Sequence, residues 1–310
     1  MNTPAEKLRP LRGIIPPLAT PLASIDTLDV PGLEKLIEHI LGGGAHALFI
    51  LGTTGEGPAL SYRLRRELIE RVCTQVGSRV PILVGISDTA YAESLHLAEF
   101  SAKAGASAVV AATPFYFQLG QSDVLWLIES LSQASALPLY LYNQPALTKI
   151  SFHPQTVARA AEMPNVWGVK DSSGQISYIK EVLALVGKKH PEFSILVGPE
   201  HLLAEALLLG AHGGVPGGAN IFPTLPVRLY QAFLDGNREE MQKLQAQMVS
   251  IGEPIWTVDE TEPGYLHRLK CALSLLGLCS GLPTWPYQPS TEEERKQIAE
   301  HLKKYGILPA

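Results

Sequence analysis

The sequence predicts a (β/α)8 barrel, an α/β fold in which eight parallel strands are ringed by helices, carrying a C-terminal three-helix extension. Three observations lead there. From Gly13 onward, short apolar runs alternate with amphipathic runs, about 30 residues to each strand–helix unit, the size of a βαβ repeat. The apolar runs are continuous rather than alternating, as expected of strands covered on both faces of a parallel sheet. A doubly wound open sheet, the competing arrangement, would open its first helix with Gly-x-Gly-x-x-Gly, and no such motif stands there.

Taken in order, the expected strands are residues 13–20, 47–51, 81–86, 106–112, 137–142, 166–170, 193–197 and 212–215. Between and after them, helical periodicity covers 30–41, 62–76, 90–104, 122–133, 154–161, 176–186, 202–209 and 225–234. Helix ends are marked by glycine at Gly42-Gly43-Gly44, Gly105 and Gly210. After Asp235-Gly236 the rhythm changes. Residues 237–251, 262–276 and 291–304 read as three helices with no strand between them, and Pro283, Pro286 and Pro289 separate the last two. The expected division is a barrel over 1–236 and a helical extension over 237–310 packed on it, not an independent domain.

Composition narrows the function. With 46% hydrophobic and 18% charged residues, the chain of 310 can bury a large core. A formal net charge of -5, with no cluster of basic and aromatic residues, argues against nucleic acid or an anionic membrane as partner. Cys73, Cys271 and Cys279 make no even framework and no Cys-x-x-Cys, and read as buried thiols in a reducing compartment. Residues 1–13 are polar and lack the apolar core of a signal peptide, and no apolar run is long enough to span a bilayer. A cytoplasmic protein acting on small molecules is expected.

In such a barrel the chemistry gathers at the C-terminal ends of the strands. The sixth strand ends in Lys170, with Val166, Gly168 and Lys170 on one face and Trp167 and Val169 on the other. Burial lowers a lysine's pKa, and a neutral amine can attack a carbonyl to give a Schiff base. By itself the stretch also fits a lysine that reaches solvent or pairs with Asp171. The second strand runs into Leu51-Gly-Thr-Thr-Gly-Glu-Gly57, whose hydroxyls and N–H groups can hold a carboxylate. The fifth runs into Tyr140-Leu-Tyr-Asn-Gln-Pro145, which places Tyr142 at the mouth beside Lys170, where a phenol can shuttle a proton. The glycine-rich run 213–220 holds no lysine or arginine and reads as close backbone packing rather than a phosphate site. The nine histidines form no metal-binding spacing, and His201 and His212 read as structural. Lys270 sits on an amphipathic helix and is expected to snorkel outward.

Three motifs then occur in order: Gly-Thr-Thr-Gly-Glu at 52–56, Tyr-Asn-x-Pro at 142–145 and Val-Lys-Asp-Ser at 169–172. On these the chain resembles the dihydrodipicolinate synthase/N-acetylneuraminate lyase family of class I aldolases over essentially its whole length. The resemblance implies that Lys170 forms a Schiff base with pyruvate or a 2-oxo acid and that no other cofactor or metal is used. Tyr142 would relay protons, coupled to Thr53. Thr54 and neighbouring N–H groups such as that of Gly55 would hold the pyruvate carboxylate. Tyr116 matches the tyrosine lent to a neighbouring subunit's site, which implies a homotetramer. Gly198 and Val215 match positions lining the pocket. Where the synthases carry an arginine for the carboxylate of aspartate semialdehyde, this chain has Leu147. Where the lyases present an Asp-Glu pair and a serine to sugar hydroxyls, it has Glu200, His201 and Gly217. The combination points to a shorter 2-keto-3-deoxy sugar acid, with Glu200 available to its hydroxyls. The alternatives are 4-hydroxy-tetrahydrodipicolinate synthase, a dehydratase on the same Schiff base, and a non-catalytic sugar-acid sensor, the last opposed by retention of Lys170, Tyr142 and both threonines.

Overall fold

A computed structural model of the chain describes residues 9–256 and 265–309. The first part runs β1 (Gly13–Ile14), β2 (Leu22–Ser24), β3 (Thr27–Leu28), α1 (Val30–Gly42), β4 (Leu48–Ile50), α2 (Tyr62–Val76), β5 (Ile82–Gly85), α3 (Tyr91–Ala104), β6 (Ala108–Ala112), α4 (Gln121–Ala134) and β7 (Leu139–Asn143). It continues with α5 (Pro145–Thr148), α6 (Pro154–Ala160), β8 (Val166–Asp171), α7 (Ile176–Val186), β9 (Ser194–Val197), α8 (Leu203–Leu209), β10 (Gly213–Gly214) and α9 (Thr224–Leu234). Among the described residues three helices follow: α10 (Arg238–Trp256), α11 (Tyr265–Leu275) and α12 (Glu292–Lys304). The expected start of the middle one, at residues 262–264, lies outside the described residues. None of the described helices is long and apolar enough to cross a membrane.

Eight strands form one parallel sheet in the order β1-β10-β9-β8-β7-β6-β5-β4. The sheet curls until its edges meet. His46 N–H donates to Ile14 O (2.9 Å), Phe49 N–H to Pro16 O (3.0 Å) and Leu18 N–H to Phe49 O (2.8 Å), so the segment after β1 runs parallel to β4. Pro16 and Pro17 cannot donate to a ladder, which is why the expected eight-residue first strand shrinks to Gly13–Ile14. The Asn220 amide secures the seam: its Oδ1 accepts from Ala19 N–H (3.0 Å) and its Nδ2 donates to Pro17 O (2.9 Å). The antiparallel β2–β3 hairpin and the short α5 were not foreseen. Neither carries a strong pattern of its own, since β2 and β3 are three and two residues long and α5 has four.

Side chains divide into two layers. Inside the curl, Leu11, Ile15, Phe49, Leu83, Val110, Tyr140 and Leu196 pack together. Outside it, the other strand faces meet the helices in a continuous apolar shell. The expected alternation along β8 fails at its start, where Val166 lies in the outer shell with Val169 instead of on the Lys170 face. Register shifts between Leu139 and Tyr140, which pair with Val166 and Gly168, leaving Trp167 as the extra residue of a bulge. Trp167 therefore packs toward the inner cluster instead of sharing a face with Val169, and Arg9 lies over its ring at 5.2 Å. Past the bulge the pattern is restored, with Val169 in the outer shell and Lys170 inside.

Helix α10 runs to Trp256, five residues beyond the expected end and through Pro254. A helical proline cannot donate to the carbonyl four residues before it. That carbonyl, Ser250 O, instead accepts from the His301 ring of α12 at 3.0 Å, so the polar group stays satisfied. The expectation that Lys270 reaches solvent is wrong. Helix α11 is wedged between the sheet's mouth and α12, and Lys270 is 1% exposed. Its ammonium pairs with Glu56 and donates to Leu282 O (2.8 Å). Glu56 Oε1 accepts in turn from Thr284 N–H (2.7 Å) and Thr284 Oγ1 (3.0 Å). Burial pulls Lys270 below the usual lysine range, against the opposing pull of the Glu56 charge.

Candidate active site

The parallel register of β7 and β8 sets Tyr142 beside Lys170 and Asn143 beside Asp171. Alternation then sends the two pairs to opposite faces. On the outer face, Asn143 Nδ2 donates to Asp171 Oδ1 (2.7 Å) while Asn143 Oδ1 accepts from Phe152 N–H (2.9 Å). Asp171 is further held by the Ser173 hydroxyl (2.9 Å), so its carboxylate is engaged away from Lys170. On the inner face, Lys170 is 6% exposed and forms no ion pair with any described residue. Its Nζ stands 4.0 Å from the Tyr142 ring centroid and 4.9 Å from that of Phe49. The room left by Gly168 beneath it is filled by Tyr140: a Cβ at 168 would lie 2.6 Å from that ring.

The Tyr142 hydroxyl is 3.1 Å from Thr53 Oγ1. Burial works to raise the phenol's pKa. The Lys170 charge and hydrogen bonds with Thr53, Ser172 and Lys170 outweigh it, so Tyr142 sits below the usual phenol range. Thr53 and Thr54 ride on a turn bracketed by two non-glycine residues in left-handed conformation, Leu51 (φ 58) and Glu56 (φ 54). Such backbone persists only when its surroundings hold it. Here Thr20 Oγ1 donates to Gly55 O (2.7 Å) and Lys270 grips Glu56. Thr54 Oγ1 lies 3.2 Å from the Tyr265 hydroxyl, and burial pushes Tyr265 up, keeping it protonated.

These groups surround a cavity of about 640 Å³ lined by Thr54, Tyr142, Lys170, Ser172, Gly198, Glu200, His201, Val215, Trp256 and Tyr265, among others. A Cβ at Gly198 would meet Ser172 Oγ at 2.1 Å, so a side chain there would push that hydroxyl aside. Glu200 is buried in the wall. Gly218 N–H donates to its Oε2 (2.9 Å) and the Trp256 indole N–H to its Oε1. Burial still dominates and raises its pKa to about 7. A second cavity of about 240 Å³ lies on the other side of the Thr53–Tyr142 pair, lined by Phe49, Glu56, Phe115, Leu147, Leu266, Thr284 and Tyr287. Tyr142 and Gln144 border both.

The structure thus brings Lys170, Tyr142, Thr53, Thr54, Gly198, Glu200 and Val215 together. Gly55 forms the packed back of its turn rather than the cavity wall. Tyr116 is apart: it is 79% exposed, edge-on to Phe117. His201 stands on the larger cavity's rim, whereas His212 is structural, its Nδ1 accepting from Ile195 N–H (3.1 Å). Ser172, Gln144, Trp256 and Tyr265 escaped the sequence reading. Ser172 was findable, two residues past Lys170 in the same motif. Trp256 and Tyr265 come from the helical extension, where no local pattern says that a side chain turns back to the mouth. Among the described residues, no group of three or more His, Cys, Asp or Glu side chains is placed to hold a metal ion.

A curled parallel sheet with a polar cavity at the C-terminal ends of its strands is the framework of a barrel enzyme. The chain belongs to the Dihydrodipicolinate synthetase family, whose model matches residues 10–305. It is a carbon–carbon lyase of the pyruvate-dependent aldolase type. A 4-hydroxy-tetrahydrodipicolinate synthase from Cereibacter sphaeroides is 33% identical over 96% of this chain and 100% of its own. An uncharacterized DapA-like lyase from Halobacterium salinarum is 30% identical over 96% of this chain and 95% of its own. Among solved structures, a dihydrodipicolinate synthase from Bacteroides thetaiotaomicron superposes with a TM-score of 0.92 at 49% identity, covering 98% of this chain and 100% of that one. YagE, an Escherichia coli prophage protein solved in complex with pyruvate, gives 0.91 at 28% identity, covering 96% and 99%.

Proposed function

We propose that the protein is a Schiff-base aldolase that cleaves or makes a 2-keto-3-deoxy sugar acid, on a closed (β/α)8 barrel and without metal or organic cofactor. The observation that carries this reading is the Lys170 amine, buried against the Tyr142 and Phe49 rings with no carboxylate to neutralise it. The amine adds to the C2 carbonyl of the substrate, and with one proton taken up, water leaves and an iminium remains. In cleavage, Tyr142 as phenolate takes the C4 hydroxyl proton. The C3–C4 electron pair moves into the iminium, an aldehyde departs and an enamine of pyruvate stays on Lys170. Protonation at C3 and hydrolysis release pyruvate. Synthesis is the reverse. Thr53 holds the Tyr142 hydroxyl, while Thr54 and the turn's N–H groups hold the carboxylate.

The relatives named as synthases suggest aspartate semialdehyde as the second substrate. Its carboxylate calls for a cation, yet Lys170 is the only lysine or arginine among the described residues lining either cavity, and Leu147, 54% exposed, lines the smaller one. A leucine cannot replace a bidentate guanidinium, so a neutral hydroxyaldehyde fits better. Exposure of Tyr116 with Phe115 and Phe117, beside the smaller cavity, supports a homotetramer in which a second copy's Tyr116 enters near Thr53 and Tyr142. The net charge of -5 accords with a cytoplasmic enzyme of small metabolites. Borohydride added with pyruvate tests the central step: peptide mapping is expected to find the reduced adduct on Lys170, and an adduct elsewhere, or none on the folded protein, rejects the assignment.

A further inference from the structure

The turn that carries Thr53 and Thr54 places its residues against simple backbone preference. Gly55 and Gly57 flank Glu56, yet the left-handed position, where glycine is least strained, belongs to the glutamate (φ 54). The two glycines serve for room: a Cβ would meet Leu18 O at 2.9 Å from position 55 and Leu51 O at 2.2 Å from position 57. A glutamate persists in that conformation only if its surroundings hold it.

Among the described residues, every partner of the Glu56 side chain comes from the helical extension. Its carboxylate is fully buried and meets the Lys270 ammonium of α11. Its Oε1 accepts from Thr284 N–H (2.7 Å) and Thr284 Oγ1 (3.0 Å), in the segment between α11 and α12. Lys270 is fixed in turn by Leu282 O (2.8 Å), so the ammonium and Thr284 arrive as one unit. Beside this anchor stand three main-chain donors. Glu56 N–H donates to Thr53 O (2.9 Å) and Gly57 N–H to Gly52 O (3.2 Å), which closes the turn. The N–H groups of Thr53, Thr54 and Gly55 make no hydrogen bond with any described residue. Successive free N–H groups in a tight turn form a concavity for an anion, and Thr54 lines the same cavity as Lys170. The backbone of the turn sets their direction, and one end of that backbone is the Glu56 that Lys270 holds.

We propose that Lys270, acting through Glu56, is a positioning residue that keeps the threonine turn in the shape that receives the substrate carboxylate. Lys270 lines neither cavity, so it acts without touching substrate. This rests on the Schiff-base reading above and extends it: the reactive lysine stands on the barrel, and recognition of the acid group depends on a second lysine, from the extension.

The experiment compares borohydride trapping of pyruvate and of acetone on Lys170, each well below saturation, in the wild type and in Lys270→Met. Acetone presents the same carbonyl with a methyl group in place of the carboxylate. Comparing the pyruvate-to-acetone ratio between proteins cancels the different reactivity of the two ketones. Wild type is expected to favour pyruvate beyond the preference of a free lysine. Lys270→Met should lower the ratio roughly tenfold, the scale of one charge-assisted hydrogen bond, with acetone trapped at close to the wild-type rate. A purely structural role would slow both ketones alike or neither, and either result overturns the proposal, as does a wild type with no added preference for pyruvate. If Lys270→Met does not fold, its combination with Glu56→Gln, which removes both charges together, gives the same comparison with the same expected loss. Wild type that traps pyruvate, with a variant that keeps its ratio, rejects the role of Lys270 alone, whereas wild type that traps neither ketone rejects the Schiff-base reading.

Discussion

At the scale of single residues, burial decides protonation and therefore behaviour with pH. Glu200 is the clearest case. Its carboxyl has an ordinary value of 4.5 and stands at about 7 in the folded protein, because removal from water outweighs the two donors that bond it. The folded state holds this proton more tightly than the unfolded state does. Its contribution to stability is thus fully present below about pH 4.5 and is lost as pH rises through about 7. The span corresponds to roughly 3 kcal/mol at most. Denaturant unfolding of the wild type is expected to show that decline, and Glu200→Gln, which cannot titrate, should lack it. A variant with the wild-type slope would mean that another group is responsible. Lys170, Tyr142 and Thr53 were legible because each belongs to a short motif at the end of an apolar strand. Gln144 was not, although it lies inside the Tyr-Asn-x-Pro motif. Nothing in a sequence distinguishes a glutamine bordering a cavity from one facing water.

At the scale of elements, the turn that carries both threonines is held from a distance. Helix α11 sends Tyr265 to Thr54 and Lys270 to Glu56, so two residues of the extension grip two residues of the turn. Removing one member of a buried ion pair leaves the other uncompensated, at a cost of about 3–5 kcal/mol. Lys270→Met is therefore expected to lower the unfolding free energy by about that much, read from denaturant midpoints. Replacing Glu56 as well, by Gln, should recover part of the loss, and an unchanged midpoint in the single variant would refute the clamp. The sequence showed α11 as amphipathic, and from that Lys270 read as a solvent-facing residue. Amphipathicity identifies the apolar stripe but not what covers the rest, and here α12 and the barrel mouth cover it. Similarly, the alternation along β8 foretold Lys170 correctly and both Val166 and Trp167 wrongly, because a bulge depends on the pairing strand and leaves no mark in one strand alone.

At the scale of the molecule, the repeat of about 30 residues made the eight-strand plan readable from end to end. The seam was not readable. It depends on Pro16 and Pro17 ending β1 early and on Asn220, about two hundred residues away, bonding the segment that follows. The aromatic group Phe115, Tyr116 and Phe117 stays uncovered in the single chain, as does Leu147. If a second copy covers it, activity should fall on dilution in step with dissociation measured by sedimentation. A fully active monomer would reject the shared site.

The clamp between Glu56 and Lys270 also has a consequence for how the chain is made. Synthesis proceeds from the N-terminus, and all eight strands of the sheet leave the ribosome before residue 270 does. A nascent chain can thus complete its sheet while the turn bearing Thr53 and Thr54 still lacks its far anchor. Helix α11 acts as a delayed fastening: the scaffold comes first, and the anchor of the threonine turn follows only once residue 270 has been made.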